Sequence, residues 1–190
     1  TSKPFAINLW VWMDDEGAWT SDETAFRDSL AALAEHLKEL GVPTPGYTPY
    51  VPLSFDAQAR AVLDAKAPVF SFIFGVPPAE LLQECQLRRI VTIGTATTVD
   101  EAVALQRAGV DAIVASGFEA GGHRGSFLRR AEDSLVGTMS LVPQVVDAVD
   151  VPVIAAGGIA DARGVVAALA LGAEGVQIGT AFLAAEESGA

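Results

Sequence analysis

The sequence predicts an α/β protein in which parallel strands form a TIM-like (β/α)8 barrel. Strand-like and helix-like segments alternate six times without a hairpin signal, which indicates right-handed βαβ units and a parallel sheet. The last two predicted strands end in short glycine turns, Gly157-Gly158 and Gly179-Thr180, and barrels bind phosphate after their seventh and eighth strands. No Gly-x-Gly-x-x-Gly follows the first strand, so the barrel is favoured over an open dinucleotide-binding sheet.

Composition narrows the class of protein. Of the 190 residues, 51% are hydrophobic, which is enough for one substantial core. Only 19% are charged, and this low fraction fits a fold with many strands buried on both faces. The net charge of -12 argues against nucleic acid and anionic membrane surfaces as partners. No apolar run approaches the roughly 18 residues of a membrane span, and the opening residues lack a signal-peptide pattern. Cys85 is the single cysteine, which excludes an internal disulfide and leaves the compartment undecided, with the cytoplasm as the default expectation.

The elements of the first third are predicted from caps and periodicity. Residues 5–10 form the first strand, and the acidic stretch 14–22 is a loop. Asp22-Glu23-Thr24 caps a helix that runs to Leu40 and stops at Gly41. Apolar residues recur along this helix at steps of three and four, so one face is expected to be buried. That face consists of Phe26, Leu30, Leu33, Leu37 and Leu40.

The remaining elements follow the same alternation. The stretch 41–52 is a loop because it contains four prolines, and the stretch 124–139 is polar and then flexible. Thr98 and Glu101 start one helix with a capping pattern, and Gly109 ends it. Further strands are predicted at 67–75, 89–94, 111–116, 151–159 and 175–180, and further helices at 55–65, 79–87, 98–109, 141–149, 161–171 and 181–185.

The loop at residues 117–125 is the predicted active-site loop. It follows a short buried strand and contains four glycines around His123. His123 is expected to act as a general base, because an imidazole titrates near neutral pH; the alternative is an exposed loop histidine. A zinc site is not indicated, since no Cys or His has suitable spacing and His36 lies on a predicted helix surface. Glu119 either orients a substrate or caps the loop, and Arg124 either binds an anion or is solvated.

The two glycine turns predict a phosphate site. The turn Gly157-Gly158-Ile159 precedes a helix that starts near Asp161, and its N–H groups and the positive helix end suit a phosphate. Residues 177–180 add further N–H groups and a hydroxyl at the next strand end. Neither stretch contains a lysine or arginine, so backbone donors and dipoles would hold the anion. The alternative is that both turns are tight connections chosen for packing.

Residues 97–188 closely resemble the nitronate monooxygenase family, formerly called 2-nitropropane dioxygenases. The resemblance rests on the segments at 117–125, 152–159 and 175–183, and residues 3–9 are similar to the third barrel strand of that family. It implies an FMN-dependent TIM-like barrel that oxidises alkyl nitronates, for example propionate 3-nitronate, with O₂ to a carbonyl compound and nitrite. His123 matches the family's catalytic histidine, which takes a proton from neutral nitroalkanes. The residues that the resemblance assigns to FMN are Asn8, Ser116, Gly121, Gly122, Gly157, Gly158, Gln177, Ile178, Gly179 and Thr180.

Two departures from the family pattern bear on these expectations. Many members have glutamine where this chain has Ser116. The family barrel also begins with two more strands, so the six strands here correspond to its third to eighth and form an incomplete barrel within one domain, residues 1–190. Two alternatives therefore stand beside the monooxygenase. One is the related FMN-dependent enoyl-carrier-protein reductase, which uses NAD(P)H and shares the Glu-x-Gly-Gly-His loop. The other is an inactive truncated barrel that persists as a homo-oligomer.

Overall fold

The six predicted strands form one parallel sheet whose order follows the sequence. A computed structural model describes residues 4–11, 22–49 and 54–189. These residues fall into two compact units, one of residues 4–11 with 55–189 and one of residues 22–49 with Ser54. The first unit contains the whole sheet: β1 (Ala6–Trp10), β2 (Val69–Ile73), β3 (Val91–Ala96), β4 (Ala112–Ser116), β5 (Val153–Ala156) and β6 (Gly175–Gln177). Parallel strands with helices between them confirm the partial TIM-like barrel.

Helices alternate with the strands as predicted. They are α1 (Glu23–Glu39), α2 (Phe55–Asp64), α3 (Ala79–Leu87), α4 (Val99–Ala108), α5 (Thr138–Val146), α6 (Ala162–Ala170) and α7 (Thr180–Leu183), with short 3₁₀ helices at Ala131–Ser134 and Glu186–Ser188. The Asp22 side chain accepts a hydrogen bond from the Thr24 N–H at 2.8 Å, which confirms the predicted cap of α1. Among the described helices, none is both long and apolar enough to cross a membrane.

The two faces of the sheet have different environments. Phe70, Phe72 and Ile113 are fully buried in the main core, together with Leu105 of α4 and Val145 of α5. The alternate residues of the same strands point to the other face of the sheet, where they line an open cavity. Because side chains alternate along a strand, the helix-covered face is apolar while the cavity face carries polar residues. This division positions the functional site.

The expected burial of one face of α1 is wrong. No residue of α1 is buried, and Leu33 and Leu40 are exposed, while Phe26, Leu30 and Leu37 are half-buried. Within its own unit, Phe26 contacts the ring of Tyr47 at 5.5 Å between centroids. Periodicity identifies the apolar stripe of a helix, but burial requires a surface against which the stripe packs.

Two element boundaries differ from prediction for identifiable reasons. The third strand begins at Val91 because Arg89 ends α3 with a left-handed φ of 59°. It runs on through Gly94, where a Cβ would lie 2.5 Å from the Leu105 side chain, so this glycine permits close packing of α4 instead of ending the strand. The fifth helix begins three residues earlier than predicted, at Thr138. Of the predicted loop 41–52, residues 41–49 have no regular secondary structure. Its residues 50–52, and residues 14–21 of the other predicted loop, lie outside the described residues.

Candidate active site

An open cavity of about 780 Å³ lies at the carboxyl ends of the strands. Its size is in the range of roughly 300–1,000 Å³ that is typical of small-molecule sites. In a parallel sheet all strand ends meet at one edge, so loops that are distant in sequence meet there. The cavity is lined by nine of the predicted site residues: Asn8, Ser116, Gly121, His123, Gly157, Gly158, Gln177, Gly179 and Thr180.

Two predicted site residues do not line the cavity. Gly122 follows Gly121 in the active-site loop and has a positive φ of 78°, which makes it part of the loop's turn. Ile178 directly follows Gln177, the last residue of β6, so its side chain points to the opposite face of the sheet. The structure thus brings together the first strand, the loop after β4 and both glycine turns.

His123 lies among aromatic side chains. Its ring centroid is 4.8 Å from that of Trp10, with an interplanar angle of 61°, and 6.3 Å from that of Phe74, with an angle of 83°. Trp10 and Phe74 themselves meet edge to face at 5.2 Å. These distances are in the favourable range for aromatic pairs. The imidazole is exposed on the cavity side while two rings restrict where it can turn.

Glu119 fixes the active-site loop to the start of α5. Its carboxylate accepts hydrogen bonds from the Thr138 hydroxyl at 2.8 Å and the Thr138 N–H at 2.9 Å. The same hydroxyl lies 3.0 Å from the Gly157 carbonyl oxygen, which joins the loop to the first glycine turn. Burial raises the pKa of Glu119, but these bonds, its own backbone N–H and the charge of Arg124 outweigh burial and lower the pKa below its ordinary value. Of the two expected roles of Glu119, the hydrogen bonds support the cap.

Arg124 is half-buried and bonded to backbone carbonyl oxygens, so the expectation of a solvated side chain is wrong. Its guanidinium donates to the carbonyl oxygens of Ser116 at 2.8 Å, Thr97 at 3.3 Å and Ser134. Burial lowers the pKa of Arg124, against the opposing effect of the nearby carboxylates of Glu101 and Glu119. These three carbonyl oxygens lie close together, and the planar guanidinium of Arg124 donates a hydrogen bond to each of them.

Glu101 is a fully buried carboxylate that the sequence did not identify as part of the site. It accepts bonds from the Thr97 N–H at 2.7 Å and hydroxyl at 2.6 Å, and from the N–H groups of Phe127 at 2.7 Å and Leu128 at 3.1 Å. The capping pattern at Thr98 suggested a purely local role. Instead, Glu101 also fixes the chain that continues from the active-site loop.

The first glycine turn retains unbonded donors. Gly157 has a φ of 111°, a conformation that side-chain-bearing residues rarely adopt. Among the described residues, the N–H groups of Gly157, Gly158 and Gly179 donate no hydrogen bond. The N-terminus of α6 differs from expectation, because the Asp161 carboxylate accepts from Arg163 N–H at 2.9 Å and Gly164 N–H at 3.4 Å. An anion here would therefore bind the turn's own donors.

Four polar or aromatic cavity residues were not identified by the sequence analysis. Ser71 and Thr95 line the cavity from β2 and β3, and the Asn8 amide donates to the Ser71 hydroxyl at 3.0 Å. The sequence did contain a signal for Ser71 and Thr95, because each is a polar residue within an otherwise apolar strand. Trp10 and Phe74 carried no such signal, since aromatic residues at strand ends are ordinary core residues.

A family model described as nitronate monooxygenase matches residues 1–190. A probable nitronate monooxygenase of Staphylococcus haemolyticus (strain JCSC1435) is 45% identical over 192 residues, which cover 100% of this chain and 53% of the relative. The chain therefore spans about half the length of the curated relatives it matches.

Two solved structures are similar in both sequence and fold. Nitroalkane oxidase from Streptomyces ansochromogenes is 39% identical with a TM-score of 0.80, covering 100% of this chain and 53% of that one. FabK from Thermotoga maritima is 32% identical with a TM-score of 0.67, covering 98% of this chain and 44% of that one.

Proposed function

The chain belongs to the nitronate monooxygenase family, and on that premise we propose that it is an FMN-dependent oxidoreductase that converts alkyl nitronates and O₂ to a carbonyl compound and nitrite. The observation that carries the proposal is that His123 and both glycine turns line one cavity. The chain covers 53% of the length of its relative, so the activity of the whole enzyme is itself proposed. The proposal also treats residues 1–190 as a single partial barrel domain of a cytoplasmic protein.

The residues present fit an FMN. Its phosphate would accept from the unbonded N–H groups of Gly157, Gly158 and Gly179, with the Thr180 hydroxyl beside them. A Cβ built on Gly179 meets no heavy atom within 4 Å, so the space in front of this turn is open for a ligand. The remaining contacts would come from polar cavity residues, namely Asn8, Ser116 and Gln177. When bound, FMN would supply the electron-transfer chemistry that links nitronate oxidation to O₂.

His123 would convert a neutral nitroalkane to the nitronate. An imidazole nitrogen accepts the proton of the carbon that bears the nitro group, which leaves an imidazolium beside the nitronate anion. Trp10 and Phe74 contact the ring from two sides and so restrict its orientation, while the ring stays open to the cavity. Preformed nitronates need no such base, so the requirement for His123 depends on the form of the substrate.

The second candidate, an enoyl-carrier-protein reductase, is supported by the shared Glu119-Ala120-Gly121-Gly122-His123 loop. The nitronate reaction is favoured because nitroalkane oxidase is more similar to this chain than FabK is, with TM-scores of 0.80 and 0.67. The test is to supply the purified chain with FMN under anaerobic conditions and to record bleaching of the flavin by NADH or by an alkyl nitronate, followed by nitrite release in air. Bleaching by the nitronate with inertness to NADH supports the proposal, and rapid bleaching by NADH alone supports the reductase. A chain that stays colourless with FMN and releases no nitrite supports the inactive, homo-oligomeric barrel.

A further inference from the structure

Phe74 has a backbone conformation that bulky residues seldom adopt. In the described part of the chain, three non-glycine residues have a positive φ: Lys66 at 51°, Phe74 at 70° and Arg89 at 59°. Lys66 and Arg89 lie two residues after the ends of α2 and α3, where a left-handed residue commonly terminates a helix. Phe74 instead follows β2 and lines the cavity, so helix termination does not explain it. Strained residues of this kind concentrate at functional sites.

The left-handed turn brings the Phe74 ring onto the cavity wall beside the proposed base. It meets Trp10 at 5.2 Å and His123 at 6.3 Å, and Trp10 meets His123 at 4.8 Å. The strained residue therefore completes an aromatic wall of two rings around the imidazole. A substrate whose reactive carbon lies at His123 would place its remaining substituent against this wall.

The charges around the cavity disfavour a second negative charge on the substrate. No lysine or arginine lines it among the described residues. Arg124, in the same loop as His123, is bonded to the Ser116, Thr97 and Ser134 carbonyl oxygens. Glu119 does line the cavity, and its lowered pKa keeps its carboxylate charged at neutral pH. A substrate carboxylate would lose water beside a like charge, whereas an alkyl chain would be matched by aromatic surface.

We propose that Phe74 is a specificity-determining residue that selects nitronates with an apolar alkyl chain over nitronates that carry a carboxylate, such as propionate 3-nitronate. This inference rests on the proposed function and deepens it, because it names the substrate class of the same site. The position of the Phe74 ring on the cavity wall accounts for the strained backbone at this residue.

The first test compares kcat/KM of the FMN-supplied chain for ethylnitronate, butylnitronate and propionate 3-nitronate. The wild type is expected to prefer butylnitronate to propionate 3-nitronate by about tenfold or more. Phe74→Asn suits the left-handed backbone but removes the ring, so it should lower kcat/KM for butylnitronate about tenfold and for ethylnitronate less than about threefold. Phe74→Leu keeps an apolar side chain and should give an intermediate loss. Arg89→Asn, at a matched left-handed residue away from the cavity, should leave all three ratios unchanged.

The second test requires no turnover. The nitro carbon of 2-methyl-2-nitropropane has no proton, so this compound binds without reacting; its effect on the His123 imidazole resonances can be followed by NMR, with His36 as internal reference. It should perturb His123 and not His36, bind about tenfold more tightly than 4-methyl-4-nitropentanoate, a carboxylate whose nitro carbon also has no proton, and lose about fivefold in affinity with Phe74→Asn. Equal affinity for both probes, or no effect of Phe74→Asn in either test, would overturn the inference. Absence of turnover with every nitronate, together with Phe74-dependent binding of the apolar probe, would contradict the proposed function and leave the apolar selectivity of the cavity standing.

Discussion

At the scale of single residues, His123 carries the proposed proton transfer. His123→Asn should lower kcat/KM for neutral nitroalkanes by about 10²- to 10⁴-fold, because no base remains to take the proton. Turnover of preformed nitronates should change by less than about threefold, since they arrive already deprotonated. Nitrite release from both forms of one substrate measures the difference. His36→Asn, at the other histidine of the chain, is the matched control and should affect neither form. An equal loss on both forms would remove the base role.

Glu119 should make stability depend on pH in a defined direction. Its pKa is lowered in the folded chain, so its contribution is fully present above the unfolded pKa of about 4.3 and is lost as pH falls through the folded value. Glu119→Gln should therefore lower the free energy of unfolding by about 1 kcal/mol at pH 7, and this difference should shrink below about pH 4. Urea denaturation at a series of pH values measures it.

Glu174→Gln is the matched control for Glu119, because Glu174 is exposed and its carboxylate has no bonding partner among the described residues. Its free energy of unfolding should stay within about 0.5 kcal/mol of the wild type at every pH. If Glu119→Gln were equally stable at pH 7, the link between the active-site loop and α5 would contribute nothing to the fold.

At the scale of elements, two adjacent acids of α4 should behave very differently. Glu101 is fully buried and accepts four hydrogen bonds from Thr97, Phe127 and Leu128. Glu101→Ala leaves those donors unpaired and should cost roughly 3 kcal/mol of unfolding free energy. Within the described residues, the Asp100 side chain has one partner, Arg129, in an exposed ion pair, so Asp100→Asn should cost less than about 1 kcal/mol. Thermal or urea denaturation compares the two variants, and similar costs would show that the buried network does not hold the loop.

The turn after β6 can be tested without disturbing the fold. A Cβ at Gly179 meets no heavy atom within 4 Å, and the same is true at Gly46, far along the chain in the other unit. Gly179→Val should therefore leave the melting temperature nearly unchanged while weakening FMN binding about tenfold or more through steric block of the phosphate. Gly46→Val should change neither. Flavin fluorescence titration measures the affinity, and unchanged affinity in Gly179→Val would refute the phosphate assignment.

The helices and strands could be predicted from sequence because the residues that start and end each of them lie within or next to that element. Asp22 and Thr98 cap their helices, and Gly109 ends α4 in a left-handed conformation, as expected from sequence. The start of α5 was not predictable, because the group that caps it is the carboxylate of Glu119, 19 residues earlier in the chain. A cap supplied from another segment leaves no trace in the helix's own sequence.

At the scale of the whole molecule, the parallel topology explains why distant segments form one site. All six strands run parallel, so they present their carboxyl ends at the same edge, and Asn8, His123 and Gly179 line one cavity. That convergence follows from alternation of strands and helices alone. The aromatic contacts of His123 with Trp10 and Phe74 do not, because side-chain packing across loops depends on three-dimensional positions that periodicity cannot supply.

The central claim is that the glycine turns after β5 and β6 hold FMN in the cavity that contains His123. The most direct measurement is the absorption spectrum of the purified chain after incubation with FMN and removal of unbound flavin. The claim predicts a yellow protein with about one FMN for each chain, as expected for one pre-formed site. A colourless protein that releases all its flavin would contradict it.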